Sequence, residues 1–346
     1  MPVTIRDIAK KLNLSIAAVS RAMDGYPDIS EETRKKVIRA AKKMGYVPNR
    51  AARQLRRKKA DAIGYILPSE TPRFSDPFFS EFLSGLGDET ALHPFDLLVS
   101  IAPPGADAEQ TIYRTWIQSR KVDGFILDRL HLHDWRVAFL AKQKFPFVGL
   151  EHSQDGIDYP RVEIDSASSM SSLIEHLVGH GFHRISFIGG SEQLVIQKKR
   201  LKGYRQGLVR MKLDFNPDLV VSSDLTSTSG YLATKHLWTI TKPPDAIMCI
   251  NDETAFGALH ALRELDIEIG KEVAVTGFDG VAASAHSDPP LTTLDIPVYE
   301  IARKLVDLLA AELNHQPAID HRVIFTPRLL KRLSTGDNPQ ASPEAP

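Results

Sequence analysis

Two groups of residues have the types and spacing to do chemistry, and their partners differ. Near the N-terminus, Arg21 can donate two hydrogen bonds to guanine O6 and N7, and Ile16 and Ala17 offer apolar contact of the kind a thymine methyl accepts. Ser15 and Ser20 carry hydroxyls suited to phosphate oxygens, and Thr4 and Ser30 add two more. Further along, polar residues follow apolar runs. Ser69 begins a loop to Asp76, Phe78 and Phe79; Asp128 stands beside Arg129, Glu151 beside His152 and Asn251 beside Asp252, and Asp279 closes another run. Carboxylates, an amide and an arginine can bind sugar hydroxyls, while Phe78 or Phe79 can stack on the apolar face of a pyranose. The first group addresses nucleic acid and the second a small, hydroxyl-rich ligand.

The elements that must position the first group are helices. Residues 1–60 hold 16 Lys and Arg against 5 Asp and Glu, and the remainder 27 against 38, so a formally neutral chain is a basic head on an acidic body. Thr4 caps a first helix, with Asp7 closing a capping box and Ile5, Ile8, Ala9 and Leu12 at helical spacing. Ser15 caps a second over residues 16–23, with Val19 and Ala22 inward and Ile16, Ala17, Ser20 and Arg21 outward. Ser30 caps a third, whose buried stripe is Val37, Ala40, Ala41 and Met44 up to Gly45. Helix, tight turn and helix is a DNA-reading arrangement, in which the start of the second helix meets base edges. A basic segment, YVPNRAARQLRRKK from Tyr46, follows; Asn49 can cap a short helical turn there, and Leu55 is an isolated apolar side chain.

The second group sits on an α/β pattern. Short β-branched runs alternate with helical stretches: AIGYIL from Ala62, FDLLVSI from Phe95, GFIL from Gly124, PFVGL from Pro146, RVEI from Arg161, RISFIG from Arg184, DAIMCI from Asp245 and VAVTGF from Val273. About four such units precede Glu151 and four or five follow. This predicts two similar lobes joined by crossovers near residues 158–162 and again after 290. Ligands of open parallel sheets sit beyond the carboxyl ends of strands, where the polar residues lie.

Several other chemistries lack support. His176, His180 and His183, and the pair His131 and His133, have no cysteine or acidic cluster to complete a metal site. Gly189, Gly190 and Ser191 follow a strand without a GxGxxG or P-loop pattern, and no Gly-x-Ser-x-Gly elbow occurs. The single cysteine, Cys249, lies in an apolar run and reads as a buried strand residue. No apolar secretory stretch or membrane span is present, which points to a cytoplasmic protein without a membrane partner. No cofactor is implied.

At VTIRDIAKKLNLSIAAVSRAMDG and ISEETRKKVIRAAKKMGYVPNRAARQL the chain resembles the LacI family (LacI/GalR-type) of bacterial repressors, and the resemblance continues through DPFFSEFLSGL, VDGFIL, GHGFHRISFIGG, RLKGY, NDETAFGAL, VTGFD and PPLTTLDIP. It implies an α/β protein: a small all-α helix-turn-helix head over 1–47, a hinge helix and linker over 48–60, and a two-lobed parallel core like a type I periplasmic binding protein over 61–334. The tail, 335–346, reads as disordered. By resemblance, Asn49, Arg50, Ala52, Arg53 and Leu55 belong to a hinge that folds on DNA, with Leu55 in the minor groove. Arg200, Asn251 and Asp279 are effector contacts by the same resemblance, and with Ser69, Asp76, Phe79, Asp128 and Glu151 they make the candidate set. Surfaces near 73–92 and 281–300 would form a homodimer. Ala18 stands where family members commonly have Thr, leaving few polar readers on the second helix. The stretch from Arg129 to Phe147 is similar to regulators of glucosides and related disaccharides. The expected protein is therefore not an enzyme but an allosteric repressor of carbohydrate-utilisation genes, bound to double-stranded operator DNA and controlled by a sugar; whether that sugar induces or corepresses stays open. A transport-type sugar-binding protein or a carbohydrate-acting enzyme is the alternative.

Overall fold

The computed structural model describes residues 3–46, 59–67, 77–103, 106–315 and 320–336. Asn49, Arg50, Ala52, Arg53, Leu55, Ser69 and Asp76 lie outside the described residues. The chain divides into two compact units, Met1–Ala60 and Asp61–Pro346.

Among the described residues the first unit has three helices, α1 (Ile5–Leu12), α2 (Ile16–Met23) and α3 (Glu31–Met44). Each begins at a hydroxyl. The Thr4 backbone N–H and side chain both donate to the Asp7 carboxylate, at 2.8 and 2.7 Å. Those bonds hold the Asp7 carboxyl below the usual range. Ser15 Oγ accepts from the Ala18 N–H at 3.0 Å and Ser30 Oγ from the Thr33 N–H at 3.2 Å, caps worth about 1 kcal/mol each. Ile8, Ala9, Val19, Ala22, Val37, Ala40 and Ala41 form the core, with Met44 packed at its edge. Ser20 departs from expectation. It is only 7% exposed, turned inward with Val19 and Ala22, so it is not on the outer face with Ile16, Ala17 and Arg21. The phase of a short helix is set by how its neighbours pack, and here the buried arc is wider than two residues.

The second unit holds two six-stranded sheets. The first contains β1 (Ala62–Leu67), β2 (Asp96–Ile101), β3 (Gly124–Leu127), β4 (Phe147–Leu150), β5 (Arg161–Ile164) and β11 (Arg322–Phe325), in the order β11-β5-β4-β3-β1-β2 and parallel throughout. The second contains β6 (Ile185–Gly189), β7 (Val220–Ser222), β8 (Ala246–Cys249), β9 (Ala274–Asp279), β10 (Thr292–Asp295) and β12 (Arg328–Leu330), in the order β12-β10-β9-β8-β6-β7, parallel except for β12. The order 2-1-3-4-5 of the first lobe is thus repeated as 7-6-8-9-10 in the second. The inner strands β1, β3, β4, β6, β8 and β9 are buried at every position. Continuous apolar runs are what a parallel sheet covered on both faces requires.

Helices cover the sheets: α4 (Pro77–Leu92), α5 (Ala106–Gln118), α6 (Trp135–Gln143), α7 (Ser166–Gly179), α8 (Val195–Arg210), α9 (Ser227–Leu237), α10 (Asp252–Glu264) and α11 (Val298–Leu313). At the crossing of α9 and α10, a Cβ on Gly257 would run into the Ser227 carbonyl and one on Gly230 into that of Thr254, so close approach requires glycine at both. Cys249 is buried in the second lobe's core, where desolvation pushes its thiol upward.

Three details correct the expected organisation. The first crossing between lobes comes after β5, which still belongs to the first sheet, rather than near 158–162. The second follows β10, and a third, unexpected, passes from β11 to β12. Thr335 does not begin a tail: it is buried, with Oγ1 at 2.7 Å from Thr292 Oγ1 and 3.0 Å from His176 Nε2. Residues 337–346 lie outside the described part. Among the described residues no helix is long and apolar enough to cross a membrane.

Candidate functional site

Between the two lobes lies a partly enclosed cavity. The first lobe contributes Phe78, Asp128, Arg129, Leu150, Glu151 and Ile164, and the second Ile196, Arg200, Leu225, Asn251 and Asp279, with Ile296 from the second crossing. Most polar members stand where the topology puts them, at strand carboxyl ends: Asp128 and Arg129 after β3, Glu151 after β4, Asn251 after β8 and Asp279 at the end of β9. The switch points of a 2-1-3-4-5 order fall between β1 and β3 and between β6 and β8.

Four lining residues that are not glycine have positive φ: Arg129 (46°), Glu151 (82°), Leu225 (69°) and Asp279 (118°). Each costs of order 1 kcal/mol or more, and such strain collects where side chains must be aimed. The sharp reversal after each strand turns these residues toward the cleft.

Arg200 organises the second lobe's wall. It is 4% exposed, its guanidinium lies 3.5 Å from the Phe278 ring centroid, and it donates through Nη1 to the Ile250 carbonyl. Nη2 is 3.5 Å from Asp279 Oδ1, while the buried Nε makes no hydrogen bond. Burial pulls the guanidinium down from its ordinary range, opposed by the charges of Asp279 and Glu151, yet arginine stays charged. Asn251 caps α10: its Oδ1 accepts from the Thr254 N–H at 3.0 Å and its Nδ2 donates to the Leu225 carbonyl at 3.1 Å. Asp252 is instead wholly buried below, accepting from Thr293 Oγ1 at 2.6 Å and the Val281 N–H at 2.9 Å. Burial pushes its carboxyl up to about 7.

The lobes are tied across one edge of the cleft. Leu132 N–H donates to the Gln193 carbonyl at 2.7 Å and Val195 N–H to that of Leu130 at 3.0 Å, leaving His131 opposite Leu194 in an antiparallel bridge. Lys199, from the second lobe, pairs with Glu151 and, at 3.1 Å, with Glu163, both of the first. Burial raises the Glu151 carboxyl despite Lys199. Glu163 goes the other way: burial alone would raise it, but hydrogen bonds from Arg322 at 2.7 Å and Arg161 at 2.9 Å, with the charge of Lys199, bring it down to about 2. A folded value below the unfolded one stabilises above the ordinary glutamate range and is lost as pH falls toward 2. In urea melts, Glu163→Gln is therefore expected to weaken the protein near pH 7 and to flatten its loss of stability between about pH 4.5 and 2; an unchanged acid slope would remove Glu163 from that role.

Of the residues expected at this site, Asp128, Glu151, Arg200, Asn251 and Asp279 line one cavity, and Ser69 and Asp76 lie outside the described residues. Phe79 is a correction: it is buried against Tyr65 at 6.3 Å, and its neighbour Phe78 faces the cleft instead. Arg129 and the apolar residues Ile196, Leu225 and Ile296 join the cavity beyond that set. The wall combines Asp128, Glu151 and Asp279 with Arg129, Arg200 and the adjacent Lys199. Such balanced charge, one amide, one aromatic ring and several aliphatic side chains suit a neutral ligand with hydroxyls and an apolar face better than an anion. The ring nitrogens of His176, His180 and His183 meet Thr335 Oγ1, the His176 carbonyl and the Gly181 carbonyl, respectively. Glu89, His93 and Asp307 do cluster, but Arg303 Nε sits 2.6 Å from Glu89 and already supplies the positive charge a metal ion would bring.

In the first unit, Ser15, Ile16, Ala17 and Arg21 are exposed on α2, as are Thr4 and Ser30 at their caps. Arg21 Nη2 pairs with Asp28 at 2.5 Å, and its guanidinium lies 5.4 Å from the Tyr26 ring centroid. Both side chains of the ion pair are about half exposed, so a base edge can compete for the guanidinium. Arg21→Ala is expected to relax specificity at one base of each half-site by about 1–3 kcal/mol. Lys58→Ala, in the basic segment, should weaken binding evenly across sequences; gel shifts in which both variants lose equally on every sequence would refute the distinction.

A three-helix DNA-reading unit followed by a two-lobed ligand-binding unit is the construction of a bacterial transcriptional regulator. Residues 4–49 match the bacterial regulatory proteins of the lacI family, and residues 174–335 match the periplasmic binding protein-like domain. The HTH-type transcriptional regulator AglR of Rhizobium meliloti (strain 1021) is 31% identical over 99% of this chain and 97% of its own length. Among solved structures, the lac repressor dimer bound to operator and the anti-inducer ONPF aligns with a TM-score of 0.81 at 26% identity, covering 97% of this chain and 99% of that one. A complex of the transcriptional regulator CelR with cellobiose aligns at 0.74 and 26% identity, covering 96% and 99%. The chain belongs to the LacI family of bacterial regulatory proteins.

Proposed function

We propose that this regulator is a cytoplasmic homodimeric repressor of carbohydrate-utilisation genes, and that its cleft binds a glucoside or other disaccharide without turning it over. The carrying observation is the cavity itself: Asp128, Glu151, Arg200, Asn251 and Asp279, groups that can bind hydroxyls, converge with the Phe78 ring on one space. That CelR was solved with cellobiose supports the same class of ligand. Thr4, Ser15, Ile16, Ala17, Arg21, Ser30 and the segment Asn49, Arg50, Ala52, Arg53 and Leu55 are the proposed DNA contacts. Ser20 supports the packing of α2 instead. The proposed dimer surface lies near residues 73–92 and 281–300, where Leu92 at the end of α4 is 72% exposed. Effector must bind one lobe arrangement more tightly than the other, and that difference alone can alter operator affinity.

The test is thermal unfolding of the full chain with maltose, sucrose, trehalose, cellobiose and their monosaccharides. Ligand at about 100 times its dissociation constant should add roughly 2.7 kcal/mol, a shift of several degrees. Silence across all sugars, with a response to purines or sugar phosphates, would keep the regulator and overturn the disaccharide.

A further inference from the structure

We propose that Arg136 is a positioning residue of the effector cleft: its buried guanidinium folds the turn that presents Asp128 and Arg129, and so sets which sugar the cleft selects. The inference rests on the proposed reading of the cleft. Arg136 lies on α6, away from the cavity wall, and is 5% exposed. Its Nη2 donates to the Asp128 carbonyl at 3.1 Å and the Arg129 carbonyl at 3.4 Å. These carbonyls leave the β3 ladder where Arg129 turns to a φ of 46°, and buried backbone oxygens need donors. With one Nη2 proton directed to Asp134, the two carbonyls share the other in a three-centre bond.

Asp134 fixes that guanidinium. Its Oδ1 accepts from Arg136 Nε at 2.9 Å and its Oδ2 from Nη2 at 2.7 Å. The same carboxylate accepts the backbone N–H of His131 at 3.0 Å and of Arg136 at 2.9 Å. Ion pairing this deeply buried, with Asp134 and with Glu109 Oε1 at 3.9 Å from Nη1, is poor evidence of stabilisation, because apolar side chains of the same volume often serve as well. What apolar residues cannot do is satisfy the two turn carbonyls and a backbone N–H in one geometry. Lysine cannot either, since its ammonium is a point donor rather than a fork. Leu130 and Leu132, the residues that bond to the second lobe, lie in the same clamped segment. The turn that would touch ligand is therefore continuous with the bridge that ties the lobes.

The experiment is calorimetric titration of maltose, sucrose, trehalose and cellobiose into full-length wild type, Arg136→Lys, Asp134→Asn and Arg129→Ala, with unfolding temperature and operator affinity measured on each. Asp134→Asn keeps the side-chain shape and carries the test if Arg136→Lys does not fold. The expected result is a tenfold or greater loss of affinity for the sugar that binds wild type, with sugar-free operator affinity within twofold. In the double variant Arg129→Ala with Asp134→Asn, the losses should combine to less than their product, because both act on one turn. Wild-type affinity in the folded variants overturns the role of Arg136 alone. No binding of any sugar to wild type overturns the cleft reading, and the positioning role with it.

Discussion

Arg200→Leu is expected to weaken binding of the effector disaccharide by about 10- to 150-fold, the equivalent of one charge-assisted hydrogen bond of roughly 1.5–3 kcal/mol. Leucine keeps aliphatic contact with Phe278 but removes the Arg200 charge beside Asp279 and the donor to the Ile250 carbonyl. Breaking a buried pair by removing one partner costs about 3–5 kcal/mol; the open cleft lets water reach Asp279, so the lower end is expected. The two effects separate by comparison with Asp279→Asn, which keeps an acceptor for Arg200 and should lose affinity with little loss of unfolding temperature. Undiminished sugar affinity in Arg200→Leu, by calorimetry on folded protein, would remove Arg200 from the site.

What the chain discloses in advance follows from how local each signal is. Ser15, Ser30 and the Thr4–Asp7 pair are caps set within four residues, and all three helices of the head start where the hydroxyls place them. Seven of the eight apolar runs become inner strands because nothing but a covered parallel sheet accommodates them, whereas the run from Phe95 forms the edge strand β2, exposed or half-buried along its length. β11 and β12 have no such signature. Their residues are half-buried or exposed, and they are edge strands only because a third crossing brings them there.

The cleft was legible in its polar half for the same reason. A carboxylate just after a buried strand has one place to go in this topology, and Asp128, Glu151 and Asp279 go there. Phe78 and Phe79 show the limit: adjacent helical residues differ by about 100°, and the packing of α4 on Tyr65 decides which ring is buried. Ile196, Leu225 and Ile296 look like ordinary core residues in sequence and reach the cavity through tertiary placement. Lys199 and Arg136 carry no sequence mark of their tasks, because each acts on groups many residues away or through a turn.

Asp252→Asn is expected to stabilise the protein above neutral pH. The Asp252 carboxyl is wholly buried and its folded value stands at about 7, above the unfolded value near 3.8. The folded state therefore holds the proton more tightly than the unfolded state. Stability from this group is fully present below about pH 4 and is lost as pH rises to 7, a span worth on the order of 4 kcal/mol. Asparagine has the same shape and no charge to desolvate: its oxygen can accept the Val281 N–H while its amide donates to Thr293 Oγ1, which then turns its own proton elsewhere. The variant should lose the downward slope between pH 4 and 7 and unfold at higher urea than wild type at pH 8. Because Val281 stays bonded, the turn that follows Asp279 keeps its place, and sugar affinity should remain within a few-fold of wild type. Lower stability of Asp252→Asn at pH 8 would mean that the charged carboxylate, with Arg332 nearby, is held there at a net gain despite its burial.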